Sequence, residues 1–228
     1  MLDFQKNFIT YALNAHVLKF GEFTLKSGRK SPYFFNTGLF NTGKQLGKLG
    51  EFYALALQQS NLNPDVLYGP AYKGIPLVST TSIACSQLLN KDTPFTFNRK
   101  EAKDHGEGGA LVGAPLHGQI LILDDVITAG TSVRESVEII TQAGATPCGV
   151  LIALDRQEKG PNNRSAIAEV EEEFKIPVIS IINLETIISY LTQQPQFKDK
   201  LAIITDYQNS LRYNLLDFTK NKIPNTVS

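Results

Sequence analysis

Ile120-Leu121-Ile122-Leu123-Asp124-Asp125-Val126-Ile127-Thr128-Ala129-Gly130-Thr131-Ser132 is the stretch on which the reading of this chain turns. Its first four residues are all apolar, as in a strand buried on both faces. That strand delivers two carboxylates into a turn of small residues. Ala129 and Gly130 let the main chain come close to a ligand, while Thr128, Thr131 and Ser132 add hydroxyl donors. Beyond the turn, Val133, Val137, Ile140 and Gly144 give a helix an inward stripe. Unpaired N–H groups at the start of a helix, at the positive end of its dipole, form an anion site that needs no basic side chain. A phosphate fits such a turn. The carboxylates would repel a second anion but accept hydrogen bonds from sugar hydroxyls, so the combination points to a ribose 5-phosphate. A plainer reading makes this an acidic turn that caps a helix; the length of the match favours the ligand.

Outward from this stretch, β-rich runs alternate with helical patterns. Asp65 to Tyr68, Gln119 to Leu123, Gly149 to Leu154 and Ile176 to Ile182 read as strands; Ile75 to Leu89 and Val133 to Gly144 read as helices. The alternation specifies βαβ units and an α/β fold with a mainly parallel sheet flanked by helices. Upstream, Phe4, Phe8, Ala12 and Ala15 predict an amphipathic helix. Phe23 to Lys26 and Pro32 to Asn36 flank Ser27-Gly28-Arg29-Lys30 and read as a hairpin. Lys100 to Gly109 is polar, charged and rich in glycine, with no period of two or of 3.6, and reads as a mobile loop. Lys198 to Leu216 reads as helical, and the polar tail 221–228 as frayed.

The 228 residues suit one domain: a helix-plus-hairpin hood over 1–40, an α/β core over 41–220 and the tail. Twenty-two basic and 22 acidic side chains cancel, which argues against nucleic-acid binding by phosphate neutralisation. No apolar run approaches the ~18 residues of a spanning helix, and Met1 to Thr10 lacks the pattern of a secretion signal. No membrane association and a cytoplasmic location are the expectations. Cys85 and Cys148 lack metal-ligand spacing and read as reduced, buried thiols. Gly38 to Gln45 spells G-x-x-x-x-G-K-Q, close to a P-loop, but Gln45 stands where a metal-binding hydroxyl is needed. Thr42 and Gln45 make an ordinary capping box instead.

The run Ile120 to Ser132 resembles the phosphoribosyl pyrophosphate signature of type I phosphoribosyltransferases. Further stretches resemble the bacterial orotate branch of that family: Phe23-Thr-Leu-Lys26-Ser-Gly-Arg29, Ser31-Pro-Tyr-Phe34-Phe35-Asn36, Gly69-Pro-Ala-Tyr72-Lys73-Gly74, Asn98-Arg99-Lys100-Glu-Ala-Lys103-Asp-His105-Gly106 and Leu154-Asp-Arg156. The resemblance implies a type I phosphoribosyltransferase fold with a small N-terminal hood. It also implies transfer of the phosphoribosyl group to orotate, giving orotidine 5'-monophosphate and pyrophosphate in pyrimidine biosynthesis.

By the same resemblance, Lys26, Tyr72, Lys73, Arg99, Lys100, Lys103 and His105 contact phosphoribosyl pyrophosphate, together with Asp124, Asp125, Val126, Ile127, Thr128, Ala129, Gly130, Thr131 and Ser132. Several cationic groups suit a ligand with a monophosphate and a diphosphate. Lys26, Lys73, Lys103, His105, Asp124 and Asp125 are the expected catalytic set. Phe34, Phe35, Thr128 and Arg156 are the expected orotate contacts, with an Arg fork for the carboxylate and aromatics for the ring. Taken alone, each lysine would read as a solvated charge and the phenylalanines as hairpin core. The family further implies Mg²⁺ carried on the substrate rather than in a protein cage, and a homodimer in which the loop reaches the partner's site. Two alternatives use the same fold: transfer to another base, and a non-catalytic sensor of phosphoribosyl pyrophosphate.

Overall fold

The computed structural model describes residues 1–25, 28–103, 109–158 and 164–213. Its elements run α1 (Asp3–Asn14), β1 (Leu18–Thr24), β2 (Lys30–Phe35), α2 (Gly43–Ser60), β3 (Val66–Gly69), α3 (Gly74–Leu89), β4 (Phe95–Lys103) and β5 (Gly109–Gly113). They continue β6 (Gln119–Leu123), α4 (Thr131–Gln142), β7 (Thr146–Asp155), α5 (Ala166–Phe174), β8 (Val178–Asn183), α6 (Leu184–Thr192) and α7 (Lys198–Tyr213). The main sheet has six strands in the order β5-β4-β3-β6-β7-β8. All neighbours pair in parallel except β4 with β5.

β6 shows why the sheet is central. Ile120 and Ile122 enter one apolar cluster with Val133, Ile140 and Val170, while Leu121 and Leu123 enter another with Phe52, Leu77 and Ile187. The period of two splits one strand between two cores, one under α4 and α5 and the other under α1, α2, α3 and α6. All four side chains are fully buried. Each contributes roughly 1.5–3 kcal/mol.

Two sequence expectations change in the structure. The hairpin spans Leu18 to Phe35 rather than starting at Phe23, because the β1–β2 register shifts between Phe20 and Phe23. That irregularity breaks the alternation by which the strand would have been read. Lys100 to Lys103 continue β4 instead of opening a loop, and Lys103 pairs with Gly109. Main-chain pairing of an antiparallel ladder does not require an apolar period. Residues 104–108 and the tail lie outside the described residues.

The helix near the P-loop-like run starts as an ordinary cap. Thr42 Oγ1 accepts from Gln45 N–H, and the Gln45 side chain accepts from Asn41 N–H. Further along α2, Gly50 lies against α3, where a Cβ would sit 2.4 Å from the Thr80 carbonyl oxygen. Helix propensity alone makes Gly50→Ala stabilising by about 1 kcal/mol. The contact reverses the sign: Gly50→Ala is expected to lose roughly 1–3 kcal/mol in a urea titration. A midpoint equal to or above that of the parent chain would refute this packing.

Candidate functional site

Because β3, β4, β6 and β7 run parallel, their C-terminal ends come to one edge of the sheet. The chain steps from β3 outward to β4, then returns to place β6 on the other side of β3. Open parallel sheets bind ligands at such a switch point, outside the strand ends. Here the turn after β3 carries Tyr72 and Lys73, the end of β4 carries Arg99 and Lys100, the turn after β6 is Asp124 to Gly130, and Arg156 follows β7. Four separated stretches of sequence thus reach one edge.

At the switch point Lys73 Nζ meets Asp125 Oδ2 at 2.6 Å, joining the β3 and β6 turns. Asp125 Oδ2 also accepts from Thr37 Oγ1 at 3.1 Å, and its Oδ1 from Val126 N–H at 2.9 Å. Asp124 Oδ1 accepts from Asp125 N–H at 2.8 Å, and its carbonyl accepts from buried Tyr53 Oη at 2.8 Å. Both aspartates are therefore buried and already partnered, rather than open acceptors. They are not sealed off, since the Lys73 side chain is 60% exposed on the solvent side of the pair. Burial, reinforced by the Asp125 carboxylate, pushes Asp124 up to about 6.

The turn that follows is held from behind. Val126 packs against one apolar cluster and Ile127 against the other, which leaves their main chain to the turn. Gly130 caps α4 with φ +74°, and among the described residues no side-chain cap bond closes that helix start. Thr128, Ala129 and Thr131 are exposed. Arg134 Nη1 donates to the Ala129 carbonyl at 2.8 Å while its Nε meets Glu173 at 2.9 Å. This brace ties the turn to α5 through Glu173. Sequence reading passed over Arg134, although it lies one helical turn beyond Gly130.

The other expected residues are placed unevenly. Tyr72 is 70% exposed, Lys100 is exposed, and Arg99 is half-buried. Ala71 N–H donates to Asn98 Oδ1 at 2.8 Å, tying the Lys73 turn to β4. Lys26, His105 and the side chain of Lys103 lie outside the described residues. Phe34 and Phe35 are adjacent in β2 and face opposite sides: Phe35 stands edge-on to Phe8 at 6.3 Å, and Phe34 meets Phe23 at 5.4 Å. Their rings therefore stand on opposite faces of the strand. Arg156 lies against Tyr33, with its guanidinium 4.4 Å from the ring centroid. Cys85 is buried and Cys148 partly so, both unpaired as thiols.

The model for the phosphoribosyl transferase domain matches residues 40–181 of this chain. The chain belongs to the phosphoribosyltransferase family. Among its relatives, an orotate phosphoribosyltransferase of Methylococcus capsulatus is 59% identical over 209 residues, covering 92% of this chain and 98% of the relative. Another from Yersinia enterocolitica is 58% identical over 208 residues, 91% and 98% of the two chains. The crystal structure of a Francisella tularensis orotate phosphoribosyltransferase superposes with TM-score 0.82 at 43% identity, covering 90% of this chain and 98% of that one. This phosphoribosyltransferase therefore resembles orotate enzymes in sequence and in fold over nearly its full length.

The raised Asp124 carboxyl has a consequence for stability. Below about pH 4 both folded and unfolded chains hold its proton, and there is no cost. Between about 4 and 6 the folded chain keeps a proton that the unfolded chain has lost, so stability falls as pH rises. Asp124→Asn keeps an acceptor for Asp125 N–H and removes the charge. At pH 7 this variant is expected to melt several degrees above the parent, given about 2–4 °C per kcal/mol for a chain of this size. The difference should shrink toward pH 4 in scanning calorimetry; a variant that melts lower at pH 7 would contradict the burial argument.

Proposed function

We propose that this phosphoribosyltransferase transfers the 5-phosphoribosyl group of phosphoribosyl pyrophosphate to orotate, producing orotidine 5'-monophosphate and pyrophosphate for pyrimidine biosynthesis. The observation that carries the reading is the meeting, at one sheet edge, of an uncapped helix start, an acidic pair and a displaceable lysine. The orotate relatives make the base assignment.

In this reaction the bond from ribose C1 to pyrophosphate weakens as the pyrimidine nitrogen approaches. Positive charge builds on the sugar and negative charge on the leaving group. The α4 start and the hydroxyls of Thr128, Thr131 and Ser132 hold the 5-phosphate. Asp124 and Asp125 accept from the ribose hydroxyls and sit beside the developing sugar cation. Lys73 then moves from Asp125 to the pyrophosphate, with Tyr72 and Arg99 nearby, so one displacement exposes the acids and neutralises the leaving group. Lys26, Lys100, Lys103 and His105 complete the cationic set. Arg156 takes the orotate carboxylate, with Thr128 and the Phe34–Phe35 strand lining the base site.

Mg²⁺ fits this site as a passenger on the substrate. Among the described residues no group of three or more His, Cys, Asp or Glu could hold a metal. Burial and the neighbouring Asp125 carboxylate together raise Asp124, so a substrate-borne cation would be favoured there, with Asp124 and Asp125 as the carboxylates beside it. Bound there, the ion would supply charge neutralisation for the leaving group.

The sugar cation is prone to attack by water, which favours closure before chemistry. We assign that closure to the stretch between β4 and β5, reaching the partner's site in a homodimer. No described helix is long and apolar enough to cross a membrane, and a cytoplasmic location accords with the substrates.

Incubating the chain with phosphoribosyl pyrophosphate, Mg²⁺ and orotate should deplete orotate absorbance, whereas adenine, hypoxanthine or uracil in place of orotate should give no turnover. Preference for another base, or binding of phosphoribosyl pyrophosphate without turnover of any base, would overturn the assignment. Lys103→Ala is expected to lower kcat by about 10²–10³ with an unchanged melting temperature. An unchanged rate would remove Lys103 from the mechanism.

A further inference from the structure

Glu158 is a hub that the mechanism above does not use. Its Oε1 accepts from Arg156 Nε at 2.8 Å and from Tyr207 Oη at 2.8 Å, and its Oε2 lies 3.4 Å from Arg29 Nη1. These partners come from three distant parts of the chain: the segment after β7, the C-terminal helix α7 and the hairpin. The Glu158 side chain is only 18% exposed and Arg156 only 16%, so neither relies on water alone for its partners.

The guanidinium of Arg156 is fixed on several sides. Nε goes to Glu158, Nη2 donates to Ser31 Oγ at 3.0 Å, and the plane lies over the Tyr33 ring. Ser31 is in turn oriented by donating its hydroxyl to the Tyr33 carbonyl at 2.8 Å. Among the described residues Nη1 has no partner. One edge of the fork is thus spent on Glu158 and Ser31, and the edge formed by Nη1 and Nη2 is left for a planar anion.

We propose that Glu158 is a positioning residue that aims Arg156 at the carboxylate of the pyrimidine, and that through Tyr207 the C-terminal helix becomes part of the base site. This rests on the assignment of Arg156 to the orotate carboxylate. Burial and the Glu158 carboxylate push Tyr207 up to about 12, so its hydroxyl stays a donor across the working pH range. Glu158 acts through Arg156 and does not touch the substrate.

The test separates a positioning role from a merely structural one by the split between the two substrates. Steady-state kinetics on Glu158→Ala should show KM for orotate raised about tenfold or more, with KM for phosphoribosyl pyrophosphate changed less than about twofold. Glu158→Gln, which keeps the acceptor oxygen, should recover most of that loss. Tyr207→Phe, which removes one hydroxyl and leaves the ring, should raise KM for orotate by a smaller factor of about two to five. Equal rises in both KM values, or no rise for orotate in Glu158→Ala, would overturn the inference while leaving orotate transfer intact. Failure of the parent chain to consume orotate would instead overturn the base assignment, and this inference with it.

Discussion

A strand buried on both faces cannot slip by one residue without exchanging the side chains of two cores, and β6 is such a strand. Its parallel partners β3 and β7 fix its register from either side. The point at which its apolar run ends is therefore the point at which Asp124 and Asp125 emerge. Val126 and Ile127 extend the anchoring one step further, each into a different core. The polar turn is short and its footing is apolar on both sides. This is how a polar turn at a strand end can be held in place by apolar packing.

Such a foundation tolerates an electrostatic arrangement that would otherwise be costly. Two carboxylates side by side, both buried, raise the proton affinity of Asp124 and draw Lys73 across from the neighbouring turn. Thr37 from the hood and Tyr53 from α2 complete the set of partners. In the resting site the Lys73 ammonium and the Thr37 hydroxyl thus pair the Asp125 carboxylate, while the buried Tyr53 hydroxyl holds the Asp124 main chain in place.

The sequence made the α/β layout legible because Ile120 to Leu123 and the helical stripe after it carry strong periods, and the turn between them contains residue types with few other uses. Features set by distant contacts were less legible. Thr37 and Asp125, Tyr53 and Asp124, and Glu158 and Tyr207 are far apart along the chain, and no local pattern joins them. Phe34 and Phe35 adjoin in sequence, yet strand geometry sends their rings to different partners. The β4 and β5 hairpin was missed because its distal part is held by main-chain bonds among polar residues. Resemblance to the family supplied the base, which composition and periodicity alone could not.

The most direct test of the account concerns the turn after β6. In a titration of isotope-labelled protein with phosphoribosyl pyrophosphate and Mg²⁺, followed by amide NMR, the main-chain signals of Ala129, Gly130, Thr131 and Ser132 should shift most, and ribose 5-phosphate alone should reproduce much of that shift. If those amides stay still while the start of α2 around Thr42 to Gln45 responds, the phosphate lies at the other helix start and the proposed site is wrong.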